Sequence, residues 1–160
     1  MNDIEFFNQM VMPSVEEFRQ HPGDLRRGMA ACIMLQSMTE HYFWARLADP
    51  AKTRKKNEEI LGNYKYELRD AERDKANWIF GEIADIANGM KHAKPKFFDL
   101  TLANPAVCGI MQCGFPLSRE PHVFSDQNHS WLLVQLTDAL ADRWKAKLTP
   151  RTDFAFNRVE

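Results

Sequence analysis

The sequence predicts a mainly α-helical protein, a four- to five-helix bundle with a small β-hairpin insertion before the last helix. Apolar residues recur at steps of three and four along most of the chain, which is the period of an α-helix. Glycine is scarce, at 7 of 160 residues, whereas all-β folds usually need more glycines in their turns. The length suits one domain, so we expect residues 1–160 to form a single helical domain.

Composition and charge narrow the class of protein. Apolar residues make up 44% of the chain, which is enough to bury a core, and the formal net charge of −1 provides no global attraction for nucleic acid. No stretch approaches the roughly 18 uninterrupted apolar residues of a membrane span, and the N-terminus lacks the pattern of a signal peptide. We therefore expect a cytoplasmic protein with no membrane partner, whose cysteines are reduced thiols: Cys32, Cys108 and Cys113.

Two helical segments and a basic loop are predicted in the first third of the chain. Residues 3–20 carry an apolar stripe that Pro13 is expected to bend or split. Residues 25–48 are apolar nearly all round, so this helix should lie in the middle of the bundle or between two subunits. The cluster "KTRKK" at 52–56 could contact phosphate, but a solvated loop is the preferred interpretation because glutamates follow it.

The second half of the chain contains the predicted β insertion. A charged helix is expected over residues 57–75 and a more apolar one over 76–93. Residues 96–127 alternate in hydropathy between glycines and prolines, which predicts a small β-hairpin. The last helix is expected over residues 129–148, with Ser130 as N-cap and an apolar stripe that ends at Trp144.

The stretch "DIANGMKHAKP", residues 85–95, carries the candidate site. At about 100° per residue, one helix face collects the apolar residues Ile79, Ile83, Ile86 and Met90. The nearly opposite face collects Gly81, Asp85, Asn88 and His92. A solvated helix face explains this polar stripe most simply, because Lys91 and His92 in the last turn suit the negative end of the helix dipole.

The segment "ANGMKH", residues 87–92, resembles the R-N-x-x-x-H signature of HEPN domains, a family of small helical bundles. Asn88 and His92 occupy the matching positions. In active members the motif lies near the start of a late helix at a dimer groove and cleaves RNA without metal. The resemblance implies that His92 acts as acid or base beside Asn88, and that an arginine steadies the phosphate charge.

The chain departs from this signature at the arginine. Ala87 stands in its place, and the nearest cation, Lys91, projects about 100° away from His92. The resemblance therefore implies an HEPN-like fold with lost or altered nuclease chemistry. The segments "ANGMKH" and "LADRWKAKL" are also similar to uncharacterised bacterial proteins with an A-N-x-x-K-H helix, a short β segment and a final Trp-containing helix, for which no activity is implied.

Other chemistry-bearing residues complete the candidates. Glu40 and His41 lie on the central helix, where a histidine is more often a hydrogen-bonded core residue than a ligand. No zinc spacing and no repeated Glu-x-x-His step occurs, so neither a metal nor another cofactor is expected. The four tryptophans fall at core-like helix positions, whereas stacking on bases would need them exposed. The candidate binding residues are Asp85, Lys91, Gly81, His41 and Glu40.

Three functions remain open from the sequence. The preferred one is a non-catalytic HEPN-like module that binds RNA, a nucleotide or a partner protein. The second is a divergent metal-independent ribonuclease that uses His92 and Asn88. The third is a structural or regulatory homodimer in which this residue pair only fixes the helix end. The all-round apolar helix 25–48 and the glycine-containing motif face favour a homodimer in each case.

Overall fold

The computed structural model describes residues 1–70, 78–92, 122–124 and 130–149, and these residues are mainly helical. A π-helical turn, Phe7–Val11, lies between α1 and α2. The helices are α1 (Asp3–Phe6), α2 (Met12–Gln20), α3 (Leu25–Arg46), α4 (Arg54–Asp70), α5 (Trp78–His92) and α6 (Leu133–Leu148). The prediction of a mainly α-helical protein is confirmed for this part of the chain.

Two strands of three residues, β1 (His122–Phe124) and β2 (Ser130–Leu132), pair antiparallel with Val123 opposite Trp131. Most of the predicted insertion, about 96–127, lies outside the described residues. The predicted start of the last helix near 129 is wrong, since α6 begins at Leu133 and its N-cap is the extended Leu132. Ser130 pairs in β2 instead of capping the helix, because the strand ladder holds its backbone extended.

Pro13 does not split the first helical segment. The backbone stays helical from Asp3 to Gln20, and the N–H of Met12 donates to the carbonyl of Phe7, five residues back. This wider turn directly precedes the residue that has no N–H and would crowd a regular α-helix. The helical backbone therefore accommodates Pro13 through the local π-helical turn before it.

Helix α3 is the centre of the bundle. It contacts every other helix of the described residues and buries eight of its own residues, whereas Ala30, Glu40 and Trp44 on one side stay exposed. Of the two placements that its all-round apolar character predicts, the middle of the bundle is confirmed. Cys32 lies there as a free thiol with no exposure, and burial raises its pKa to about 12, so it stays protonated at neutral pH.

Helices α5 and α6 complete the core with the faces that the sequence predicts. Ile79, Ile83 and Ile86 of α5 are buried, whereas the side chain of Met90 lies outside the described residues. The stripe of α6 is also buried: Leu133, Leu136, Leu140 and Trp144. No helix in the described ranges combines the length and the hydrophobicity that crossing a membrane requires.

The loop between α3 and α4 is held by one buried side chain. The amide of Asn57 donates to the carbonyl of Asp49 at 2.8 Å and accepts from its backbone N–H at 3.0 Å. Asn57 is 4% exposed, so this reciprocal pair satisfies polar groups that water does not reach. It fixes where the basic segment 52–56 enters α4.

Two helical glycines predict opposite effects of alanine. A Cβ at Gly28 would lie 2.8 Å from Cζ of Phe18 and 2.9 Å from Cδ2 of Leu133, two buried side chains that cannot withdraw. Crowding of this kind costs about 1–3 kcal/mol, against about 1 kcal/mol gained in helix propensity, so Gly28→Ala should lower the free energy of unfolding.

Gly62 on α4 is the matched control, because a Cβ there would meet nothing within 4 Å. Gly62→Ala should raise the free energy of unfolding by about 0.5–1 kcal/mol. Urea titrations of both variants beside the wild type measure the two effects. Stabilisation by Gly28→Ala would show that the α2–α3–α6 contact is looser than described.

Candidate ligand cleft between helices α3, α4 and α5

The motif lies at the C-terminal end of α5, which ends at His92. The resemblance to HEPN domains leads us to expect it near the start of a late helix, so its place is a second departure from that family. The backbone puts His92 one turn beyond Asn88. The side chains of Lys91 and His92 lie outside the part of the chain that the structure describes.

Ala87, which stands at the arginine position of the signature, faces the interior. It has no exposed surface and belongs to the same core cluster as Ile83 and Ile86. A side chain at this position is therefore directed at packed apolar groups and not at a groove. Position 87 therefore lacks the arginine of the signature, and its buried apolar surroundings do not suit one.

Asn88 faces a different neighbour. Its side-chain oxygen accepts a hydrogen bond from Nε2 of Gln36 on α3 at 2.8 Å, and both residues are half-buried. The polar stripe is thus packed against α3 at this point, and the interpretation as a fully solvated face is wrong for Asn88. The bond joins residues that are 52 positions apart in the chain.

A cleft of about 270 Å³ opens beside this hydrogen bond. All three helices line it, with side chains that range from apolar to cationic: Gln36, Thr39, Lys65, Tyr66, Leu68, Phe80, Ala84 and Asn88. Its volume of about 270 Å³ is just below the roughly 300–1,000 Å³ of sites for drug-sized ligands, so it suits a smaller ligand.

The cleft combines apolar, aromatic, amide and charged side chains. Phe80 and Ala84 provide apolar surface, respectively two turns and one turn before Asn88 on α5. Tyr66 stands at the rim with 64% of its surface exposed. Nζ of Lys65 lies 2.5 Å from the Glu40 carboxylate, and both side chains reach solvent. A ligand in the cleft would meet an amide, an aromatic ring and one cation.

The remaining candidate residues lie elsewhere. Gly81 and Asp85 are half-buried on α5 and do not line the cleft. The ring of His41 stacks on Phe6 with centroids 3.7 Å apart, whereas Glu40 pairs with Lys65 on the other side of α3. Glu40 and His41 therefore do not converge, and within the described ranges no cluster of three or more His, Cys, Asp or Glu side chains could hold a metal ion.

Most residues of the cleft could not be predicted from the sequence. Gln36 carried the one usable signal, since it interrupts the apolar run "CIMLQSM" of the central helix. Lys65 and Tyr66 lie in "NYKYELR", a pattern typical of a solvated helix face. They line the cleft because α4 packs against α5.

The buried hydroxyl of Tyr64 on α4 does not line the cleft. Tyr64 of α4 packs beside Tyr42 and Phe43, and its hydroxyl has no hydrogen-bond partner among the described residues. Burial, followed by the neighbouring Tyr42, raises the pKa of Tyr64 to about 12. The phenol is therefore neutral at physiological pH and is no candidate for acid–base chemistry there.

Comparison of the chain with protein-family models, curated proteins and solved structures found no match. The resemblance of residues 87–92 to the HEPN signature accordingly stays a prediction.

Proposed function

We propose that this chain is a non-catalytic, HEPN-like binding module that takes the base of a nucleotide or of RNA into the cleft between α3, α4 and α5. One observation carries the proposal: Asn88, the asparagine of the motif, lines the cleft with its amide held by Gln36. The neighbouring Ala87 is buried and stands at the arginine position, so the motif lacks the cation that stabilises the phosphate in a ribonuclease. In this proposal the module is cytoplasmic and homodimeric.

The held amide suits the edge of a base. Its oxygen has two lone pairs, of which Gln36 uses one, and its nitrogen carries two N–H donors. Asparagine pairs with a base through this donor–acceptor combination, as it does with adenine. Because Gln36 fixes the amide before the ligand arrives, less rotational freedom is lost on binding.

The rest of the cleft suits the other parts of a nucleotide. The exposed ring of Tyr66 offers a face for stacking, which is worth about 1–3 kcal/mol per base in single-stranded complexes. Lys65 offers a cation for a phosphate. Its present partner Glu40 is 54% exposed, and exposed ion pairs contribute only about 0–1 kcal/mol, so a phosphate can replace that carboxylate.

The structural alternative has its own supporting observation. The Gln36–Asn88 bond links α3 to α5 and is what a purely structural role of Asn88 requires. Under that alternative, removal of the bond costs about 0.5–1.5 kcal/mol of stability and no ligand is lost. The ribonuclease alternative instead requires cleavage that depends on His92.

Calorimetric titration with the four ribonucleoside monophosphates and with a short single-stranded RNA tests the proposal. At low salt we expect one of the four bases to bind more tightly than the others. We expect Asn88→Ala to raise its dissociation constant by roughly 10-fold or more. Asn63→Ala, on the exposed face of α4, is the matched control and should bind as the wild type does.

Three results would contradict the proposal. Absence of binding by the folded wild type supports the structural alternative, as does unchanged binding by a folded Asn88→Ala variant. Cleavage of the RNA by the wild type that His92→Ala abolishes supports the ribonuclease alternative. Thermal unfolding of each variant separates loss of a ligand contact from loss of the fold.

A further inference from the structure

Trp44 is the tryptophan that the structure places on the surface. It was expected in the core with the other three, but it is 42% exposed at the C-terminal end of α3. Trp144 is buried as expected, and the side chains of Trp78 and Trp131 lie outside the described residues. Leu47, three positions further along, is 46% exposed, so two large apolar side chains lie at one corner of the bundle.

A cleft of about 580 Å³ runs beside Trp44, between the end of α3 and the start of α4. Its walls carry both signs of charge, and the residues around it are Glu40, Trp44, Lys52, Arg54, Asn57, Glu58 and Leu61. Lys52 pairs with Asp49 at 3.4 Å and Arg54 with Glu58 at 2.9 Å. The side chain of Arg54 is 86% exposed in spite of this pair.

We infer that this corner, which we call the Trp44 face (Glu40, Trp44, Leu47, Lys52, Arg54 and Glu58), is the surface through which two copies of this chain associate. A partner of a single sign, such as nucleic acid, would meet carboxylates as well as cations here. A second copy related by a two-fold axis presents the same face in reverse order, which lets the cations of one copy lie opposite the carboxylates of the other. A mixed face around exposed apolar groups therefore favours a second copy over a partner of a single charge sign.

The residue types support a contact of this kind. Tryptophan and arginine are the side chains that most often dominate binding energy at protein interfaces, when they lie at the centre of the contact. The ring of Trp44 makes an edge-to-face contact with the buried Phe43, at a centroid distance of 5.6 Å. Its ring is thus ordered before association, which reduces the entropy lost on binding.

The Trp44 face differs from the dimer surfaces that the sequence favoured, and association through it does not depend on ligand binding. The sequence favoured both the apolar helix 25–48 and the motif face as subunit contacts. Most of that helix is covered within the bundle, and Asn88 is packed against α3. The Trp44 face lies at the end of α3 and keeps large apolar groups in solvent.

Sedimentation equilibrium of the purified chain over a range of concentrations tests the inference. The wild type should show a monomer–dimer equilibrium, and Trp44→Ser should raise the dissociation constant by roughly 10-fold or more. Leu25→Ser is the matched control, because Leu25 is 38% exposed at the first residue of α3, the end of the helix opposite Trp44. It should leave the equilibrium unchanged. Circular dichroism of both variants checks that they are folded.

A charge exchange makes the test specific for a two-fold contact. The Lys52→Glu/Arg54→Glu variant and the Glu58→Lys variant should each dimerise more weakly than the wild type, since like charges then oppose each other. An equimolar mixture of the two should recover dimers. A wild type that stays monomeric at every soluble concentration would overturn the inference, as would dimers that Trp44→Ser leaves intact or that Leu25→Ser abolishes.

Discussion

Ala87→Arg, which would restore the arginine of the R-N-x-x-x-H signature, is expected to lower the free energy of unfolding by more than about 4 kcal/mol and to create no ribonuclease. Ala87 has no exposed surface and packs with Ile83 and Ile86 in the core. An arginine there overfills a packed interior and brings in a charge without a partner. Both costs arise at one position, which is why the effect should be large.

Urea unfolding and an RNA cleavage assay on the same preparation check this expectation. Domains are stable by about 5–15 kcal/mol, so the variant should be largely unfolded or should melt far below the wild type. Ala87→Ser is the control, since its small hydroxyl can bond to a carbonyl of the preceding turn and should cost much less. An Ala87→Arg protein that is as stable as the wild type and cuts RNA would show that position 87 faces a groove.

The helix faces that form the core were predictable from the sequence. Each depends on local periodicity alone: Ile79, Ile83 and Ile86 recur on one side of α5, as Leu136 and Leu140 do on α6. Such stripes must be covered wherever the helix lies in the fold. The apolar character of α3 likewise predicted a central place, and α3 contacts every other helix of the described residues.

The cleft could not be predicted in the same way, because it depends on how helices approach each other. Asn88 and His92 mark a stripe on α5, but nothing local shows that Gln36 comes within 2.8 Å of Asn88. Tryptophan at a helical position also looks the same whether it is buried, like Trp144, or 42% exposed, like Trp44. The difference lies in where neighbouring helices end, which is a property of the assembled bundle.

Trp144→Ala should cost about 3–5 kcal/mol of stability, the usual loss when a large aromatic side chain is removed from a core. Trp144 has no exposed surface and joins three helices. Its ring lies on α6, 5.3 Å from Phe80 of α5 in an edge-to-face contact and 5.5 Å from Tyr42 of α3. Because α5 and α3 both line the cleft, loss of this contact should also loosen the site.

Trp144→Phe separates the packing of the ring from the polarity of the indole. The buried Nε1 of Trp144 has no hydrogen-bond acceptor among the described residues, and a buried donor without an acceptor lowers stability. Phenylalanine keeps most of the contact with Phe80 and Tyr42 and removes that donor. Its loss in the same urea titration should therefore be less than half that of Trp144→Ala. Equal losses for the two variants would mean that the indole N–H makes a stabilising polar contact, and that polarity as well as packing holds α6 against α3 and α5.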